Sequence, residues 1–148
     1  MSSNIFSPFC EIATVDQLEE ALSRPAECTV ATLRQLPGDL LVLGAGGKMG
    51  LSLARMALRA SQEAGVRRRV IAVSRFTAPD KRAEFERHGL ETLVCDLLNR
   101  KQVAELPDCD NVVFMTGMKF GSTGQLAQTW AMNCLAVWID ERIIRFRR

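Results

Sequence analysis

Tyrosine does not occur in this chain of 148 residues, and histidine occurs only at His88. One histidine excludes a His-rich metal centre, and a histidine-based triad would depend on a residue in a charged segment. No stretch approaches the roughly 20 uninterrupted apolar residues that a membrane span requires. Residues 1–12 lack the basic start and apolar run of a signal peptide. The five cysteines, Cys10, Cys28, Cys95, Cys109 and Cys134, include no Cys-x-x-Cys pair. They read as reduced, mostly packed thiols in a cytoplasmic protein rather than a disulfide framework or a zinc site. Charge of one sign is not in excess either. A net charge of +2 gives no global field for nucleic acid, and Arg142, Arg145, Arg147 and Arg148 read as a solvated terminus.

What is present is the balance of one folded domain, with 47% hydrophobic and 24% charged residues, enough for a core in a chain of this length. Residues 14–23 read as a short helix, with Thr14 and Gln17 at capping-box spacing and Leu18, Ala21 and Leu22 on one face. A second helical piece over 30–36 is stopped by Pro37-Gly38. Residues 1–38 are thus expected to be a helical extension packed on a domain spanning 39–148.

From Asp39 the pattern alternates. Residues 40–43 are continuously apolar, as in a parallel strand buried on both faces. A glycine-rich turn and a helix with Leu51, Ala54, Met56, Ala57 and Leu58 follow. A second strand is expected over 70–73, a helix over 81–88 opened by Thr77, Pro79 and Asp80, and a third strand over 93–95. Asn99 caps a short helix, and 111–115 makes a fourth strand. Ser122 and Gln125 then open a longer helix carrying Leu126, Trp130, Asn133 and Val137 near one stripe. Residues 142–146 have the pattern of a fifth strand. Strand and helix in succession predict an α/β, Rossmann-like three-layer fold, with a parallel sheet of four to five strands and truncated at its C-terminal side.

The turn Gly44-Ala45-Gly46-Gly47-Lys48-Met49-Gly50 joins a strand to a helix in a unit of about thirty residues, the context in which such a turn holds a dinucleotide pyrophosphate. Gly44 permits the tight turn, Gly46 or Gly47 the close approach of backbone to phosphate, and Gly50 close helix–strand packing. Free N–H groups of the first helical turn face the anion. Lys48 lacks P-loop spacing and is expected at solvent or a phosphate edge, beside Met49. Where a second strand often ends in an acid that holds ribose hydroxyls, this chain has Ser74-Arg75. The missing acid and the guanidinium favour NADP(H) over NAD(H), against the alternative of an arginine simply facing water.

With Gly44, Gly47 and Gly50 spaced by three, the turn resembles the Gly-x-x-Gly-x-x-Gly of the NAD-dependent epimerase/dehydratase family, the extended short-chain dehydrogenases/reductases. The resemblance covers roughly residues 40–137. It implies that Asp96, with Leu97, lies beside the adenine amine. It also implies that Met115-Thr116-Gly117 passes the cofactor's ribose, and that Trp130-Ala131-Met132-Asn133 matches a helix segment around a recurring asparagine. Asp96 has a second reading as a turn starter. Asn133 is read either as a polar anchor on the nicotinamide side or as a buried side chain satisfied by neighbouring backbone, and the second is favoured here. Met118 and Phe120, with Met115, read as core filling more than as a cofactor cover. The family's Tyr-x-x-x-Lys pair has no counterpart, because there is no tyrosine, and no other group stands ready to protonate the reacting oxygen.

Three functions compete on these residues: the cofactor half of an NAD(P)-dependent oxidoreductase or sugar epimerase, a non-catalytic nucleotide-sensing module, and an interaction protein with a vestigial turn. The expectation is an NAD(P)-binding domain of the epimerase/dehydratase lineage without turnover of its own. A homodimer is expected through the helix from Ser122 and the apolar end made by Trp138, Ile139, Ile143, Ile144 and Phe146.

Overall fold

The computed structural model describes residues 12–117 and 124–136. Met118, Phe120, Ser122, Val137, the apolar end after it and the candidate fifth strand lie outside the described residues.

Four parallel strands, β1 (Leu40–Leu43), β2 (Val70–Ser74), β3 (Glu91–Val94) and β4 (Asn111–Phe114), stand in the order β3-β2-β1-β4. Leu40 lies beside Val70 on one side and Asn111 on the other, so β1 is central and the chain reverses its winding between β1 and β4. All four residues of β1 are buried, which is why its sequence is continuously apolar rather than alternating.

Alternation of side chains divides β1 and β2 between two cores. Leu40, Val42, Val70 and Ala72 face α2 (Glu27–Gln35), α3 (Gly50–Glu63) and α4 (Pro79–Arg87), where Leu33, Ala54, Ala57 and Phe85 complete a cluster. Leu41, Leu43, Ile71 and Val73 face the other way, toward α5 (Arg100–Ala104), with Val103, Cys95 and Leu97. Each such fully buried aliphatic side chain stabilises the fold by roughly 2 kcal/mol. The result is the three-layered, Rossmann-like α/β arrangement expected from the sequence.

Small differences in the elements have local causes. The strand expected over 93–95 begins at Glu91, because Glu91 and Thr92 pair with Ile71 and Ala72 at the sheet edge, where the Glu91 side chain is exposed and the buried Thr92 hydroxyl is satisfied by Arg82 and Glu86. The helix expected over 30–36 starts at Glu27, just after Pro25. Asn99 caps α5 by accepting from the Lys101 and Gln102 N–H groups. The long C-terminal helix appears in its described part as α6 (Leu126–Trp130), which widens into a π-helical turn over Ala131–Leu135.

Helix α1 (Val15–Leu22) has the expected capping box between Thr14 and Gln17. Its apolar residues do not face the core. Ile12, Val15, Leu18 and Leu22 are all exposed, while the polar side docks on α3. Ser52 Oγ donates to Glu19 at 2.6 Å, and Arg55 and Arg59 both donate to Glu20. Arg59 also donates to Ser23 Oγ at 2.9 Å. Two guanidinium groups on α3 therefore decide which face of α1 turns inward. Helix α2 is fastened separately by the buried Arg68, which donates to the carbonyls of Leu33 and Leu36 at its C-terminal end.

Candidate functional site

The carboxyl ends of β1 and β4 lie side by side, with the Met115 N–H donating to Leu43 O at 2.8 Å. In an open parallel sheet a crevice forms where the winding reverses. Here that crevice is a cleft of about 350 Å³ lined by the glycine turn, the segment from Ser74 to Ala78, Lys81, Cys95 to Leu97, Met115 to Gly117, and Met132.

The turn is anchored to β2, with the N–H groups of Gly44 and Ala45 both donating to Val73 O. Gly44 has φ +80°, a conformation that disfavours side chains, and a Cβ there would lie 2.7 Å from Thr116 Cγ2. At Gly46 a Cβ would stand 2.3 Å from Ser74 Oγ, and at Gly50 it would meet Ala45 O at 1.8 Å. Gly50 thus lets the first turn of α3 lie directly against the Ala45 backbone of the turn. Gly47 is different. A Cβ there would touch only Gly44 O, at an ordinary 3.7 Å, yet the residue lines the cleft. Among the described residues no neighbour requires Gly47 to lack a side chain; what its missing Cβ leaves open is the cleft.

Met49, the residue before helix α3, gives its start no side-chain cap. Among the described residues the Gly46 N–H finds no protein acceptor. A 14-residue helix, α3 therefore points its positive end and uncapped first turn at this corner, a ready seat for phosphate. Lys48 and Met49 are exposed and neither lines the cleft.

Asp96 plays two parts. It lines the cleft, and its Oδ1 accepts from the Leu98 N–H at 3.0 Å while its carbonyl accepts from the Asn99 N–H. The turn-starting role is real, and it orients the carboxylate, whose second oxygen has no protein partner among the described residues. Leu97 is buried beneath it. Met115 and Thr116 lie on the β4 side, where Thr116 Oγ1 is buried without a partner among the described residues. Gly117 is exposed. Asn133 is exposed too, which corrects the expectation of a buried side chain. Its Oδ1 lies 3.5 Å from where a Gly117 Cβ would stand. The helix turns its other side inward at this point, and the π-helical turn brings Met132 to the cleft.

Ser74 and Arg75 both line the cleft, as do three neighbours that sequence reasoning passed over: Phe76, Thr77 and Lys81. Phe76 has φ +41°, rare for a bulky residue. Its ring stacks edge-on against Phe85 of α4 at 5.4 Å between centroids. This contact fixes the path by which Arg75 and Thr77 reach the cleft on either side of it. The only sequence signal for Lys81 was its place in the first turn of the helix that Pro79 opens.

Among the described residues no group of His, Cys, Asp and Glu side chains is placed to hold a metal ion, and no helix is long and apolar enough to cross a membrane. His88 closes α4 at its far end and does not line the cleft, and burial and nearby arginines push its pKa down. Compared with known proteins, the chain matches no family model and no curated protein. The fold defines the class, a Rossmann-like α/β domain with a cleft at its switch point.

Proposed function

We propose that this protein binds a nicotinamide dinucleotide, NAD(H) or NADP(H), with the pyrophosphate on the glycine turn. The observation that carries the reading is Gly47, a cleft-lining glycine that no contact among the described residues explains, at the uncapped start of α3. The residues fit such a ligand. Gly46 and the first turn of α3 offer N–H donors to the pyrophosphate, Ser74 and Arg75 border the adenosine ribose, and the second oxygen of Asp96 accepts from the adenine amine. Met115, Thr116 and Gly117 line the opposite wall. When bound, the cofactor would supply hydride chemistry. The chain's own residues hold and orient it, and the absence of tyrosine leaves no phenol to move a proton at a substrate oxygen.

The glycine spacing and Asp96 support descent from the epimerase/dehydratase lineage, and the missing tyrosine supports a binding role without turnover. Exposed thiols at Cys28 and Cys134 fit a reducing, cytoplasmic setting. Leu126 and Trp130 are 78% and 71% exposed, which supports self-association as a homodimer through this helix. Calorimetric titration with NADH, NADPH, NAD and NADP tests the main reading. Saturable binding that Gly47→Val abolishes supports it, and absence of binding to all four overturns it.

A further inference from the structure

We propose that the outer edge of β4 is an interface between two copies of this chain, which join their sheets by antiparallel pairing of β4 with β4. The inference rests on the self-association reading above, gives it a surface, and does not depend on the nucleotide.

Hydrogen-bond alternation fixes what β4 offers. The Met115 N–H donates to Leu43 O, and Asn111 and Val113 point the same way, toward β1. The N–H and C=O groups of Val112, Phe114 and Thr116 therefore point outward, where among the described residues no strand stands. Such a row is a template for another strand, and natural edges are guarded by charges, proline or bulges. The opposite edge, β3, carries the exposed Glu91, which pairs with Arg69. β4 has no such guard. Val112, Val113 and Phe114 follow one another as in a strand covered on both sides, yet all are only half-buried. Val113 and Met115 border one core, Val112 and Phe114 the other. Both cores stop unfinished at the same edge.

The occupant that fits is a second copy. A two-fold axis through Val113 sets outward residues against outward residues. Val112 then exchanges both backbone bonds with Phe114 of the partner subunit, an aromatic and β-branched pair of the kind that stabilises antiparallel ladders. A strand edge this short covers less than the roughly 800 Å² per partner of a stable interface. Helix α6, the next element after β4, extends it: Leu126 and Trp130 are 78% and 71% exposed, and a tryptophan alone can bury roughly 150–250 Å². The π-helical turn that follows reaches the cleft wall of Met115 and Gly117 through Met132, which keeps this helix on the β4 side. A fifth strand from residues 142–146 fits less well, because it would turn one of Arg142 and Arg145 to each core without a partner.

The pairing also gives each cleft a wall. Because the two β4 strands run oppositely, the clefts lie at opposite ends of the joined sheet. Thr116, which lines the cleft, then stands opposite Asp110 of the partner subunit.

Sedimentation of the full chain across a concentration series reads the dimer. Val112→Pro deletes an outward N–H and keeps every bond to β1. It is expected to weaken the dimer at least roughly tenfold, the scale of the two backbone bonds lost across the axis. Val94→Pro makes the same change on β3, where the Cys95 N–H is the one that faces β2, and should leave the dimer unchanged. Under mild oxidation Val113→Cys should give a disulfide between copies above the level of the parent chain. Val112→Cys should not, because only residue 113 meets its own copy at the axis. The Phe114 amide should exchange more slowly as concentration rises, and melts at low concentration check that the variants fold. A dimer indifferent to Val112→Pro, with no cross-link at 113, overturns the edge and leaves self-association through α6 standing. A parent chain monomeric at high micromolar concentration overturns both. Slow exchange at Phe114 in such a monomer shows an edge covered from within the chain, which overturns the proposal as well.

Discussion

Glu20 of α1 and Arg59 of α3 are joined by two hydrogen bonds, of 2.9 and 2.6 Å. The Arg59 bonds, with the charges of Arg59 and Arg55, hold the Glu20 carboxyl at about 2, well below its ordinary 4.5. A carboxyl depressed in this way contributes stability that is fully present above about 4.5 and lost as pH falls toward 2. Amide hydrogen exchange in α1 should therefore stay slow at neutral pH and accelerate at acid pH before the central strands respond. Glu20→Gln should speed α1 exchange at neutral pH and flatten that dependence. Because the pair is half exposed, added salt should weaken it as well. An acid profile of α1 unchanged by Glu20→Gln would show that the pair does not hold the helix.

Two glycines of the same turn should separate folding from binding. Gly50→Ala drives a methyl into the Ala45 carbonyl and should cost at least about 1–3 kcal/mol of stability, the range for overpacking. Gly47→Val has open space around it and should leave the melting temperature nearly unchanged while cutting dinucleotide affinity tenfold or more, by roughly 1.4 kcal/mol. Denaturant melts paired with titrations measure both.

Asp96→Asn keeps an oxygen for the Leu98 N–H and replaces the second acceptor by an amide donor. Stability should hold, and affinity for adenine nucleotides should fall by roughly tenfold while hypoxanthine nucleotides, which lack the amine, lose less. A parallel loss for both bases would place Asp96 away from the adenine.

Phe76→Ala removes a half-buried ring from its contact with Phe85 and should cost roughly 1–3 kcal/mol, less than a fully buried phenylalanine. The same change frees Arg75 and Thr77 from a fixed path, so nucleotide affinity should drop as well. Phe76→Leu, which restores bulk without the aromatic edge, should recover part of the stability.

The sheet was legible because its signals are local and strong. Residues 40–43 are apolar without interruption and form β1 with those bounds, and the Thr14–Gln17 and Asn99 caps are read directly from side-chain chemistry. The glycine turn was legible as a pattern, but only the packing around each position separates Gly44 and Gly50, where a Cβ would meet backbone, from Gly47, where none of the described residues stands in the way. Lys81 was not legible. It lines the same cleft as Arg75 because the short link from β2 runs straight into the first turn of α4, and its place there was read only as part of a helix start. Asn133 failed for a related reason: an apolar stripe is taken to face inward, and Trp130 on the same stripe is itself exposed.

Helix α1 carries its ion-pairing groups inward and Ile12, Val15, Leu18 and Leu22 outward. A hydropathy-guided redesign would therefore invert the risks. It would protect the leucines as core and trade the glutamates freely, whereas the leucines are the positions that tolerate lysine or glutamine and Glu20 is the one that fixes the helix. For anyone seeking a better-behaved sample, Val15, Leu18 and Leu22 are where polar replacements should raise solubility, since none of them lines the cleft.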